Sequence, residues 1–223
     1  MAQELEELPL FPLDVVVFPY AEIQLHIFEP RYREMVSRCL DFETPFGIVL
    51  IREQDTDESY LVGTVCRIVE STRYADGRFD IKVRGERRFR VRKVDESKPY
   101  LVGLVEPVRE LVAEDQDRLD TLMDRARGEF STYVQNIFAH ADASVAVSFP
   151  TDPVVLSFMV ASYLKMTNLK KQRLLEITET TERFEEVLEV LDEQVLSTHS
   201  YEGDPTVPHR LTTGHLVEWI NMN

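Results

Sequence analysis

Ser162 and Lys165 stand three residues apart, one helical turn, the spacing at which a lysine could serve as base to a hydroxyl nucleophile. They lie in the amphipathic run VVLSFMVASYLKM, which carries no oxyanion motif and no second catalytic signature, so a packing helix is the simpler reading. The eight glycines form no G-x-x-x-x-G-K-[ST] loop, and there is no G-x-S-x-G, H-E-x-x-H or C-x-x-C. The five histidines, His26, His140, His199, His209 and His215, are scattered without ligand spacing. No metal and no cofactor are therefore expected. Cys39 and Cys66 sit in apolar patterns and read as small buried hydrophobes, not as a disulfide framework. The chain is expected to bind and not to catalyse; the catalytic alternative is a hydrolase whose site has no recognised motif.

Two charged groupings remain. Lys82, Arg84, Arg87, Arg88, Arg90, Arg92 and Lys93 surround a single acid, Glu86. As a binding site, Arg84, Arg87, Arg88, Arg90 and Arg92 would take an anion or nucleic acid, with affinity that falls steeply as salt rises. Their alternation with Phe89 and Val91 instead marks the solvated face of a strand, paired with acids of the helical half. The net charge of −15 and the scarcity of aromatics for base stacking weigh against nucleic acid. Glu29, Pro30, Arg31 and Tyr32 form the second grouping. A carboxylate and a guanidinium beside a helix start most simply fix a structural corner, with Arg31 mostly buried.

Positioning these groups falls first to Leu8–Leu40. Its four prolines demand short strands at edges, corners or bulges. Val15–Phe18 reads as a strand buried on both sides. Ile23, Leu25 and Ile27 alternate with polar residues as a half-buried strand, and a proline-started helix follows at about 30–41. Strands are then expected at Pro45–Ile51, Leu61–Glu70, Phe79–Val83, Phe89–Val91 and Tyr100–Val105. Arg52–Ser59 reads as an exposed loop, Gly63 as a bulge or close approach, Asp76-Gly77 as a hairpin turn, and Gly85 as a break. From about 111 the period becomes helical, with four apolar stripes and starts near Glu114, Asp152-Pro153, Asn168 or Thr167, and Thr178–Thr181. The fold class is α+β: a mainly antiparallel β-barrel over residues 1–110, an α-helical bundle over 111–199, and a tail over 200–223 with a possible short helix around Trp219.

Leu8–Leu13 with Val17, Phe18 and Pro19, then Leu25, Ile27–Tyr32, Met35 and Val36, resemble the opening of the Lon protease N-terminal domain family. Gly63–Ile68, Arg87–Val91, Lys171–Glu176 and Arg183–Leu188 continue the resemblance to about residue 196. The resemblance implies a PUA-like barrel followed by a helical subdomain. It also implies a stand-alone recognition module without the family's ATPase and protease domains.

The function this resemblance implies is noncatalytic binding of polypeptide: unfolded segments, a client, a separate ATPase or protease, or a second copy of the chain. An apolar groove on the barrel or at the barrel–bundle seam would receive an extended peptide. Phe11, Val17, Phe18, Tyr20, Ile23 and Tyr100 are its candidate lining, although each alone also suits a core. No stretch approaches the roughly 20 apolar residues of a membrane helix. The acidic N-terminus lacks a secretory pattern, so a cytoplasmic location is expected.

Overall fold

A computed structural model describes residues 5–51, 60–111, 113–138 and 147–199. The expected loop at 52–59 and the tail with Trp219 lie outside them.

The sheet strands are β1 (Glu6–Leu13), β2 (Glu22–Ile27), β3 (Phe46–Leu50), β4 (Val62–Arg73), β5 (Phe79–Asp95) and β6 (Val102–Pro107). Helix α1 (Pro30–Asp41) follows β2, and α2 (Gln116–Phe138), α3 (Pro153–Tyr163), α4 (Asn168–Glu176) and α5 (Thr180–His199) follow the last strand. The order is β2-β5-β4-β3-β1-β6, and a further β5–β6 pairing returns the ladder on itself. Only β1–β3 is parallel; the other pairs are antiparallel.

Proline placement follows from this order. In β1, Glu6–Pro9 pairs with β6 and Leu10–Leu13 pairs with β3. Pro9 and Pro12 each lie where the strand has one neighbour, so a missing N–H leaves no ladder incomplete on both sides. Pro30 opens α1, whose buried stripe is Tyr32, Met35, Val36 and Cys39.

The expected strand at Val15–Phe18 is not one. The segment is an extended corner whose ends are held by non-ladder bonds: the Thr64 hydroxyl donates to the Val17 carbonyl at 2.5 Å, and Ala21 N–H donates to Phe18 O at 3.2 Å. Its unbroken apolar run has another cause. Val16 and Phe18 enter the core under α2–α5, whereas Val17 enters the core between the sheet and α1. Burial on both sides comes from lying across a seam, not from a central position in a sheet.

Gly85 does not break β5, which runs unbroken from Phe79 to Asp95. The register shifts by one residue at Glu86, a β-bulge, and Gly85 lies so close to the Phe18 carbonyl that any Cβ would collide with it. The Asp76-Gly77 turn forms as expected, with Gly77 at φ 85°. Gly63 is a close approach, since a Cβ there would strike the Ile48 carbonyl.

The helices start where capping chemistry places them. Asp152 accepts from Val155 N–H at 3.0 Å with Pro153 next, and Thr167 accepts from Lys170 N–H at 3.3 Å. The helices share one core with Val16, Phe18, Leu50 and Val62 of the sheet side. Among the described residues, no helix is long and apolar enough to cross a membrane.

Candidate functional site

The seam between sheet and helices is built on two buried arginines. Arg88, on β5, is 3% exposed and donates to the Leu175 and Ile177 carbonyls at 2.7 and 2.6 Å, and to Glu110. Arg183, on α5, is fully buried and donates to Ser157 Oγ (2.8 Å), Ile177 O (2.9 Å) and Glu110 Oε2 (3.0 Å). The two guanidinium groups lie over Phe158, 5.3 and 4.0 Å from the ring centroid. Burial pushes Arg183 down to about 10, against the opposing pull of Glu110. It remains a cation at neutral pH. Gln172 Nε2 donating to Val62 O and Asn168 Nδ2 donating to Asp14 complete the joint.

Arg88 therefore departs from the expected solvated face. Around it both faces of β5 are covered: Phe89 packs inside the sheet while Arg88 meets the helices. The remaining cations pair mostly with acids of neighbouring strands, not of the helical half. Arg84 meets Glu22 at 2.5 Å, Arg87 meets Glu6, and Arg92 meets Glu106. Arg90 lies opposite Glu106 in the β5–β6 register.

Of the six expected lining residues, Phe11, Val17, Phe18 and Tyr100 are buried in the cores. Ile23 is half-buried on β2, and Tyr20 is 39% exposed. Tyr20 sits at φ 68°, a left-handed conformation that a bulky residue rarely adopts. Tyr20 N–H donates to Gly85 O and Gly85 N–H donates to Ala21 O, at 2.8 and 2.9 Å, so β5 holds the turn in place. Burial, then the charges of Asp152 and Glu110, push the Tyr20 phenol up, which keeps it a donor at neutral pH. Tyr163, half-buried on α3, is pushed up to about 12 by burial and by Glu22. Burial also opposes ionisation of Glu22, but the hydrogen bond and charge of Arg84, with Lys82, outweigh it and hold this carboxyl below its usual range. The partly exposed side of the seam, its mouth, thus carries Tyr20, Tyr163 and the half-buried Phe149 and Val154, with Asp152 and the ion-paired Glu22 and Glu110 near enough to act on the two phenols. Such a mouth can seat apolar side chains.

Sequence reasoning missed Tyr163 and Glu110 here. Asp152 was legible as a helix cap, but its nearness to Tyr20 is a tertiary fact without a local signal.

The Glu29–Arg31 pair forms, with Nε donating to Oε2 at 2.9 Å. Arg31 is not buried as expected: its side chain is 52% exposed. It lies about 100° around the helix from the stripe begun by Tyr32, and its guanidinium covers the outer side of that ring at 4.5 Å. The Ser162 hydroxyl donates to Met159 O within its own helix at 2.7 Å, not to a lysine. A cleft of about 470 Å³ between α2 and α5 is lined by the charged Asp124, Arg125, Glu129 and Asp192 together with Gly128, Thr132 and Val195. No group of three or more potential metal ligands occurs among the described residues.

Comparison with known proteins agrees with this architecture. The model of the ATP-dependent protease La (LON) substrate-binding domain matches residues 7–193. The Lon protease of Escherichia coli (strain K12) is 23% identical over 196 residues, covering 85% of this chain and 25% of that protein. The Lon protease of Solibacter usitatus is 30% identical over 204 residues, covering 85% and 24%. The chain thus spans about a quarter of the length of these relatives. Among solved structures, the Lon N-terminal domain protein from Xanthomonas campestris is 27% identical with a TM-score of 0.57, covering 82% of this chain and 98% of that one. The N-terminal domain of Mycobacterium avium complex Lon protease, at 20% identity, shares the fold, with a TM-score of 0.65 over 84% and 99%. With a family model matched across most of its length, the chain belongs to the ATP-dependent protease La (LON) substrate-binding domain family.

Proposed function

We propose that this protein recognises polypeptide in extended, non-native form and does not cleave it. The supporting observation is the seam mouth, where Tyr20 is held half-exposed in a costly backbone conformation and Tyr163 is also partly exposed. Strain of this kind persists where the surroundings enforce it, and it clusters at binding sites. The aromatics would take apolar side chains of the client, and the exposed Asp152 would favour a cationic neighbour. In this reading, the closed sheet is a PUA-like barrel over 1–110 and the helices are a bundle over 111–199. The arginine joint holds the two in fixed relation, and a separate ATPase or protease in the cytoplasm would receive the client.

Anisotropy of a fluorescently labelled unfolded polypeptide, such as reduced casein, tests this. Saturable binding is expected without hydrolysis products. Tyr20→Asn, which removes the ring but tolerates the left-handed backbone, should weaken binding about tenfold or more. Equal binding by the variant, with unchanged circular dichroism, would refute the seam as the site.

A further inference from the structure

Two bridges between charged residues tie α2 to α5, and they are built differently. Arg118 meets Glu185, and further along α2 Arg125 Nη2 meets Asp192 Oδ2 at 2.6 Å. Each bridge spans 67 residues of sequence, so the helices run parallel and the bridges lie about two turns apart. The Arg118 bridge joins one cation to one acid. Arg125 serves two acids, because its Nε also donates to Glu129 Oε1 at 2.6 Å, one turn on along its own helix. Glu129 and Asp192 are in turn within hydrogen-bonding reach of each other. One guanidinium therefore holds two carboxyls in contact, on the wall of the cleft between α2 and α5.

Two ionised carboxyls are both acceptors, and neither can satisfy the other. Glu129 is the more enclosed, its side chain 27% exposed against 46% for Asp192. Its Oε1 is taken by Arg125, and its Oε2 is buried without a hydrogen-bond partner among the described residues. A proton on Oε2 removes one of the two negative charges and turns this orphaned acceptor into a donor for Asp192. The charged groups that face Glu129 are Asp124 and Arg125 on α2 and Asp192 on α5. Asp124 adds a further negative charge and pairs with Arg127. The third helix of this contact, α3, has no charged residue. Burial pushes the Glu129 carboxyl up, the Arg125 hydrogen bond opposes the rise, and the contact with Asp192 adds to it.

We infer that Glu129 and Asp192 share a proton and form a pH-responsive latch between α2 and α5, closed when Glu129 is protonated and loosened when both acids are ionised. Because the folded Glu129 carboxyl titrates above its usual range, the folded chain holds this proton more tightly than the unfolded one. The contribution of the latch is therefore fully present below the ordinary value of 4.5 and is lost as pH rises through the higher value of the folded state. This is the opposite sense to Glu22, whose contribution is lost as pH falls. The inference goes beyond the client-binding reading and uses none of the residues assigned to the seam mouth.

Carboxyl-carbon NMR titration of the full chain tests it, alongside urea unfolding at about pH 5 and about pH 8. Glu129 should titrate above 4.5, and Asp192→Asn should lower its midpoint, because an amide can donate to the Glu129 carboxylate. Glu129→Gln keeps an acceptor for Arg125 and supplies a permanent donor to Asp192. Relative to wild type, it should lower the unfolding equilibrium constant about threefold or more at the higher pH and change it little at the lower. Glu185→Gln, in the bridge of one cation and one acid, should bring no such gain. A Glu129 midpoint at or below 4.5 would overturn the inference. So would a midpoint that Asp192→Asn leaves in place, which would make burial its whole cause, or a Glu129→Gln variant no more stable than wild type at the higher pH.

Discussion

Arg87 and Arg88 are neighbours on one strand, yet they belong to different physical regimes. Arg87 points into solvent and pairs with Glu6, both side chains about two-fifths exposed. Arg88 is under the helices, where it satisfies two carbonyls and a carboxylate. The first pair is an exchange of water for protein that leaves little net gain. In the second, losing the guanidinium takes the side-chain donor from Leu175 O and one of two cations from Ile177 O and Glu110, inside a largely buried joint. Position relative to the seam, and not residue type, decides what an arginine does in this fold.

Four substitutions test that contrast. Arg183→Ala should cost most, about 3 kcal/mol or more in urea unfolding, because it empties a fully buried site, removes the bonds to Ser157, Ile177 and Glu110, and leaves Arg88 as the one guanidinium on Ile177 O and Glu110. Arg88→Lys keeps the charge but not the fork whose Nη1 meets the two carbonyls while Nη2 meets Glu110, and should cost about 1–2 kcal/mol. Glu22→Gln should cost about 1 kcal/mol or less at neutral pH. Because the folded carboxyl titrates below its usual range, the unfolded chain binds more protons in that window. The Glu22 contribution is therefore present at neutral pH and lost as pH falls below about 4.5, and Glu22→Gln should flatten that part of the acid limb. Arg87→Ala should change stability by under about 1 kcal/mol, and less in high salt. An Arg87→Ala cost matching that of Arg183→Ala would break the contrast.

The same seam divides what could be read from the chain. Pro30 at a helix start, Asp152-Pro153 as a cap and Asp76-Gly77 as a turn are local chemistry, and each appeared in place. The period along β5 was legible too, but which of its faces would be covered was not. Arg88 has no local mark distinguishing it from Arg90, since its partners are 87 and 89 residues away. Val15–Phe18 misled for the same reason. A continuous apolar run reports burial on two sides without saying what lies on each. Tyr20 and Ile23 could be singled out as aromatic or apolar residues near a corner, whereas Tyr163 and Asp152 become neighbours of that corner only once α3 docks.

Hydrogen–deuterium exchange in the presence and absence of an unfolded polypeptide tests the central claim most directly. The account predicts slowed exchange across residues 17–23 and 149–156, the two walls of the seam mouth, and unchanged exchange along the basic stretch Arg84–Arg92. Protection confined to that basic stretch, or absent from both walls while the polypeptide is bound, would contradict it.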